Sequence, residues 1–144
     1  MRKHRKALLV AVLTAASCSS YFIAAYNPTV DRGATELQQR VDGFLQNLED
    51  NAGTPAAEYD RNSQVYHELR SELQKLRGAA SEQPGNGLTV QSLDLIQNNL
   101  DKFEAMHAGG ISPKEIEIAR ALLDSQFRML LQLENSKKRE GGLS

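Results

Sequence analysis

"SPKEIEIARALLDSQFRMLLQLENSKKRE", Ser112 to Glu140, decides the fold class. Ile116, Ala119, Leu123, Phe127, Leu130 and then Leu133 or Glu134 recur at steps of three and four, which places them on one stripe of an α-helix. Ser112, Pro113 and Glu115 open the stretch as a capping box with proline at the first helical position. Lys137, Lys138 and Arg139 close it, where positive charge complements the negative end of the helix dipole.

Three earlier segments carry the same periodicity. Val30, Ala34, Leu37, Val41, Phe44 or Leu45, and Leu48 form a stripe that "NAGTP", Asn51 to Pro55, brings to an end. Tyr59, Asn62, Val65 or Tyr66, Leu69, Leu73 and Leu76 form the next, with Thr54 as cap and Pro55 in the first turn. "SEQPGNG", Ser81 to Gly87, reads as a turn. Leu93, Ile96, Leu100, Phe103 and His107 form the third stripe, with Thr89 as cap and Gly109-Gly110 as the stop. No β-strand pattern competes. Short loops make consecutive helices antiparallel, so the sequence predicts an all-α, up-down-up-down four-helix bundle over residues 30–140, followed by a frayed tail at 141–144.

Composition narrows the function. The chain has 144 residues, enough for one domain, with 40% apolar and 24% charged residues. Four of its 17 basic residues, Arg2, Lys3, Arg5 and Lys6, precede the body; thirteen remain against 18 acidic ones, a net charge of −5. A mildly acidic body without a basic stripe argues against nucleic acid as partner. One cysteine, Cys18, excludes an intramolecular disulfide and a cysteine-based zinc cluster.

The first residues read as export grammar. "MRKHRK" supplies a positive region, "ALLVAVLTAAS" an uncharged one, and small residues lead to Cys18. Thr14-Ala15-Ala16-Ser17-Cys18 resembles the lipobox of bacterial lipoprotein precursors, with Ala15 departing from the Leu most often found there. The resemblance covers only about the first twenty residues and implies cleavage after Ser17, a diacylglyceryl group on the Cys18 sulfur and acylation of the new amino terminus. Ser19 resembles the signal that sends such proteins to the outer membrane in enteric-type bacteria. Residues 1–17 are then a signal peptide and 18–29 a lipidated cysteine with its tether. Tyr26-Asn27-Pro28 is also similar to the start of the body in short, uncharacterised proteobacterial lipoproteins, a likeness that implies no activity.

Two other readings of this region stand beside it. Ala7 through Val30 is a run of 24 residues without charge, long enough for an uncleaved transmembrane anchor that would leave a single-pass inner-membrane protein. Cleavage after Ala25 would instead discard Cys18 and release a soluble protein.

Catalytic motifs are missing. No Gly-x-Ser-x-Gly occurs, and "GNG", Gly85 to Gly87, lies between helices without the strand that phosphate-binding loops follow. A di-iron bundle needs two Glu-x-x-His pairs and two further Glu residues. Here Glu104 and His107 form one pair, while His67 has Gln64 three residues before it. His67, Glu104 and His107 are the metal candidates, but His107 reads more simply as an imidazole near a helix C-terminus. Haem ligation would draw on His67, His107, Met106 or Met129, without covalent attachment, since Cys18 has no cysteine partner. Tyr59 and Tyr66 read as core aromatics with polar tips. The expectation is a non-enzymatic, lipid-anchored envelope protein with no cofactor beyond its lipid. Its bundle would bind another envelope protein or play a structural part, with self-assembly into a homo-oligomer as a further option and a haem- or metal-binding bundle as the alternative class.

Overall fold

Four segments wind into helices where the apolar steps of three and four place them, in a computed structural model that describes residues 24–141. They are α1 (Pro28–Asp50), α2 (Tyr59–Ser81), α3 (Gly87–Ala108) and α4 (Pro113–Gly141). Ser17, Cys18 and Ser19, with the signal segment, lie outside the described residues, as do the last three residues.

Local chemistry explains several of the ends. The Asn27 side chain accepts from the Thr29 and Val30 amides, and Pro28 needs no partner at the first helical position. α1 therefore begins two residues ahead of the boundary read from the sequence. The capping box of α4 forms: the Glu115 amide donates to Ser112 Oγ at 3.3 Å, and the Ser112 amide donates to Glu115 Oε2 at 2.8 Å. Those bonds to Ser112 hold the Glu115 carboxyl below its ordinary pKa. Gly110 follows α3 at φ +95°, a conformation that disfavours any side chain.

Two caps differ from expectation. Thr54 and Pro55 open a separate 3₁₀ turn, Pro55–Ala57, and α2 starts only at Tyr59. Asn62 explains the break: its Nδ2 donates to the carbonyls of Ala56 and Glu58 at 2.9 and 2.8 Å, folding the turn back over the helix. Thr89 does not cap α3, which begins at Gly87; it is buried in the first turn and bonded to α4.

Each helix packs against its chain neighbours, and α1 closes the ring against α4. The core runs down the middle, from Val30, Ala80 and Leu93 at one end to Leu48, Tyr66 and Phe103 at the other. Ion pairs bind three of the four outer seams. Arg40 meets Glu68 and Glu72 across α1–α2; Arg70 and Arg77 meet Asp101, Glu104 and Asp94 across α2–α3; Arg120 meets Asp42 and Glu49 across α4–α1. Among the described residues no ion pair bridges α3 and α4.

Candidate functional site

The alternating helix directions give the bundle two unlike ends. At the near end the chain enters at Ala24, α2 turns into α3, and α4 finishes. At the far end lie the 3₁₀ turn and the α3–α4 connection. Each end holds a buried polar cluster.

The far cluster is built on Tyr66 and His107. His107 Nε2 donates to the Ala57 carbonyl at 2.7 Å, so in the neutral ring Nδ1 is the acceptor and Tyr66 Oη donates to it at 2.7 Å. The pair ties α2, α3 and the 3₁₀ turn together. Phe44 packs edge-on against Tyr66 with ring centroids 5.0 Å apart, and burial pushes the Tyr66 phenol well above its ordinary pKa. Tyr59, half-buried, donates to Glu104 Oε1 at 3.1 Å, and this bond to a carboxylate raises its pKa. Arg70 holds Glu104 from the other side and also takes Asp101 at 2.8 Å.

These contacts place the metal candidates. Glu104 and His107 share a helix and sit one turn apart, but each is committed elsewhere: Glu104 to Tyr59 and Arg70, His107 to Tyr66 and Ala57. A guanidinium on Glu104 also opposes a cation there. His67 is exposed on α2 and does not join the cluster. Among the described residues no three His, Cys, Asp or Glu side chains group as a metal site. An open cleft of about 670 Å³ lies over the cluster between residues 52–60 and 107–116. Both ring nitrogens of His107 are engaged by protein atoms, so the imidazole offers the cleft ring surface and no free base.

No protein-family model matches the chain, and neither a curated protein nor a solved structure matches it. Among the described residues no helix is long and apolar enough to cross a membrane. The uncharged run from Ala7 lies mostly outside them.

The near cluster departs from the sequence reading. Lys137 reads from sequence as a dipole-matching terminal charge, yet its side chain is only 3% exposed. The ammonium uses all three protons, donating to Asn86 Oδ1, Thr89 Oγ1 and Glu134 Oε1 at 2.5, 2.5 and 2.6 Å. Thr89 Oγ1 in turn donates to Glu134 Oε1 at 2.6 Å, and Asn86 Nδ2 donates to the Ala80 carbonyl at 2.9 Å. Glu134 Oε2 is buried without a partner. The signal was in the stripe itself: Glu134 and Lys137 continue the steps of three and four beyond Leu130, with opposite charges in phase with the core.

The entering chain is fastened at this same end. Tyr26 Oη donates to Asp31 Oδ2 at 2.7 Å, which raises the Tyr26 pKa, and Lys138 lies 5.6 Å over its ring. Gln83 donates to the Ala25 carbonyl at 3.0 Å, and Ala24 is buried.

Proposed function

We propose that this chain is a lipid-anchored envelope protein whose bundle serves as a non-catalytic binding or structural module, on the periplasmic face of the outer membrane. The observation that carries the reading is the position of Cys18, directly after Ala16-Ser17 and six residues before Ala24, which is buried at the near end of the bundle. Six residues span at most about 20 Å when fully extended. A lipid on Cys18 therefore sets the near end toward the membrane and leaves the far end and the helix faces for a second envelope protein. Several acyl chains, each methylene contributing roughly 0.8 kcal/mol, make release negligible.

Ala24 to Asn27 supports lipid over an uncleaved anchor. These residues are outside any helix, and Asn27 caps a new one. A spanning helix must then end by Ile23, leaving 17 residues from Ala7, the short limit for crossing a bilayer. The buried polar groups support a module without chemistry of its own: Tyr66, His107, Thr89 and Lys137 are each bonded to other protein atoms inside the bundle.

Metabolic labelling with palmitate in a bacterial host tests the reading. The chain should take up label, and Cys18→Ala should lose it along with processing of the precursor. Equal labelling of both chains, or none in either, refutes it.

A further inference from the structure

We propose that the outer face of the α3–α4 layer is the interface of a symmetric dimer, its occupant a second copy of this chain. The six exposed large apolar side chains among the described residues are Leu88, Leu95, Met106, Ile118, Leu122 and Met129, each between 43% and 65% exposed. They are confined to two stripes. On α3, Leu88, Leu95 and Met106 are separated by seven and eleven residues, whole numbers of helical turns, on the flank turned away from α2. On α4, Ile118, Leu122 and Met129 are separated by four and seven, on the flank turned away from α1. Asp94 and Asp101, which pair with α2, and Arg120, which pairs with α1, mark the opposite flanks. Both stripes therefore point out of the same layer, along the one seam that no ion pair among the described residues bridges. Of the positions in phase between them, Ser92, Asn99 and Ser125 are small or neutral, and Lys102, seven residues after Leu95, is the one charge.

Register makes the face complementary to itself. Thr89 stands level with Glu134 and Lys137. Stepping along the two antiparallel helices from that point puts Leu95 level with Met129, and Met106 level with Ile118. A two-fold axis along the bundle sets α3 of one copy against α4 of the other at the same heights. Leu95 then meets the other copy's Met129, and Met106 the other copy's Ile118, with no sliding, while Leu122 comes level with the other copy's Lys102, whose methylene stem covers it as its ammonium reaches solvent. The four helices of the two facing layers form a second antiparallel bundle between the copies, the isologous arrangement that closes a dimer. The area suffices. α3, at 22 residues, is about 33 Å long, and two helices side by side are about 20 Å wide, giving roughly 1,300 Å² over both copies. Stable, specific interfaces bury about 1,200–2,000 Å². The interface stands without the lipid. A lipid on each copy only requires both near ends to face one membrane, which an axis along the bundle provides.

Cysteine crosslinking of the full chain in bacterial membranes tests the interface. Two differently tagged chains are co-expressed, one carrying Leu95→Cys and the other Met129→Cys, and mild oxidation is followed by mapping of the joined peptides. The expected product joins residue 95 of one chain to residue 129 of the other. The control pair, Asn47→Cys with Gln64→Cys on the outer face of the α1–α2 layer, should give at least tenfold less. Adding Met106→Glu and Ile118→Glu to both chains should remove the 95–129 product while the helical circular dichroism stays unchanged. Equal yield from the control pair, no 95–129 product, or a product indifferent to the two glutamates overturns the proposal.

Discussion

Replacing Lys137 with methionine should destabilise the bundle far more than replacing Lys137 and Glu134 together. The side chains of the pair are 3% and 1% exposed, and the ammonium supplies one of the two hydrogen bonds that Glu134 receives. Methionine keeps most of the packing of the lysine stem but strips the charge. Glu134 is then a buried carboxylate held by Thr89 Oγ1 alone, with Oε2 still unpartnered. Breaking a buried pair in this way costs about 3–5 kcal/mol. At about 4 °C per kcal/mol for a domain of this size, the melting temperature falls by about 12–20 °C. Glu134→Leu with Lys137→Met removes both charges and fills the space with apolar atoms, leaving stability within about 1 kcal/mol of the parent. The assay is urea unfolding of the bundle followed by circular dichroism, comparing midpoints at constant slope. The reasoning fails if Lys137→Met costs under about 1 kcal/mol, or if the double substitution costs the sum of the two single ones.

Tyr66→Phe leaves His107 Nδ1 without its donor and should cost about 1–3 kcal/mol at neutral pH by the same assay. Tyr66 and Tyr59 both titrate above their unfolded values, so the unfolded chain loses these protons first; stability is full below pH 10 and falls as pH rises beyond it. Tyr66→Phe should flatten that alkaline fall, and an unchanged slope between pH 9 and 11 contradicts the burial argument. Ser112→Ala removes the α4 cap and should cost about 1 kcal/mol, read as a lower urea midpoint. Gly43→Ala and Gly78→Ala meet open space and should each gain about 0.5–1 kcal/mol from helix propensity, whereas a Cβ on Gly33 lies 2.8 Å from Leu76 Cδ1 and should forfeit that gain. Equal melting-temperature shifts at all three glycines contradict the close approach of α1 and α2.

Periodicity carried the fold a long way because burial is what it encodes. The α1 stripe from Val30 to Leu48 is buried as read, and Ser112, Pro113 and Glu115 cap α4 as their spacing requires. The same signal resolves Val65 or Tyr66 only in three dimensions: Tyr66 goes inside because its hydroxyl meets His107 on another helix. Partner identity is a contact between segments 41 residues apart, and no local pattern states it. The burial of Lys137 differs from its sequence reading for a related reason. Charge at a helix end is ordinarily solvated, and Asn86 and Thr89, brought up from the start of α3 to join Glu134, make its burial tolerable. Thr89 looked like a cap because hydroxyls favour helix starts, but its bond goes across the bundle rather than along its own backbone.

The intact mass of the protein extracted from membranes tests the central claim most directly. A chain that begins at Cys18, lacks residues 1–17 and carries a diacylglyceryl group plus an amide-linked acyl chain is the predicted species, with Cys18→Ala showing none of these changes. A full-length, unmodified mass contradicts the account.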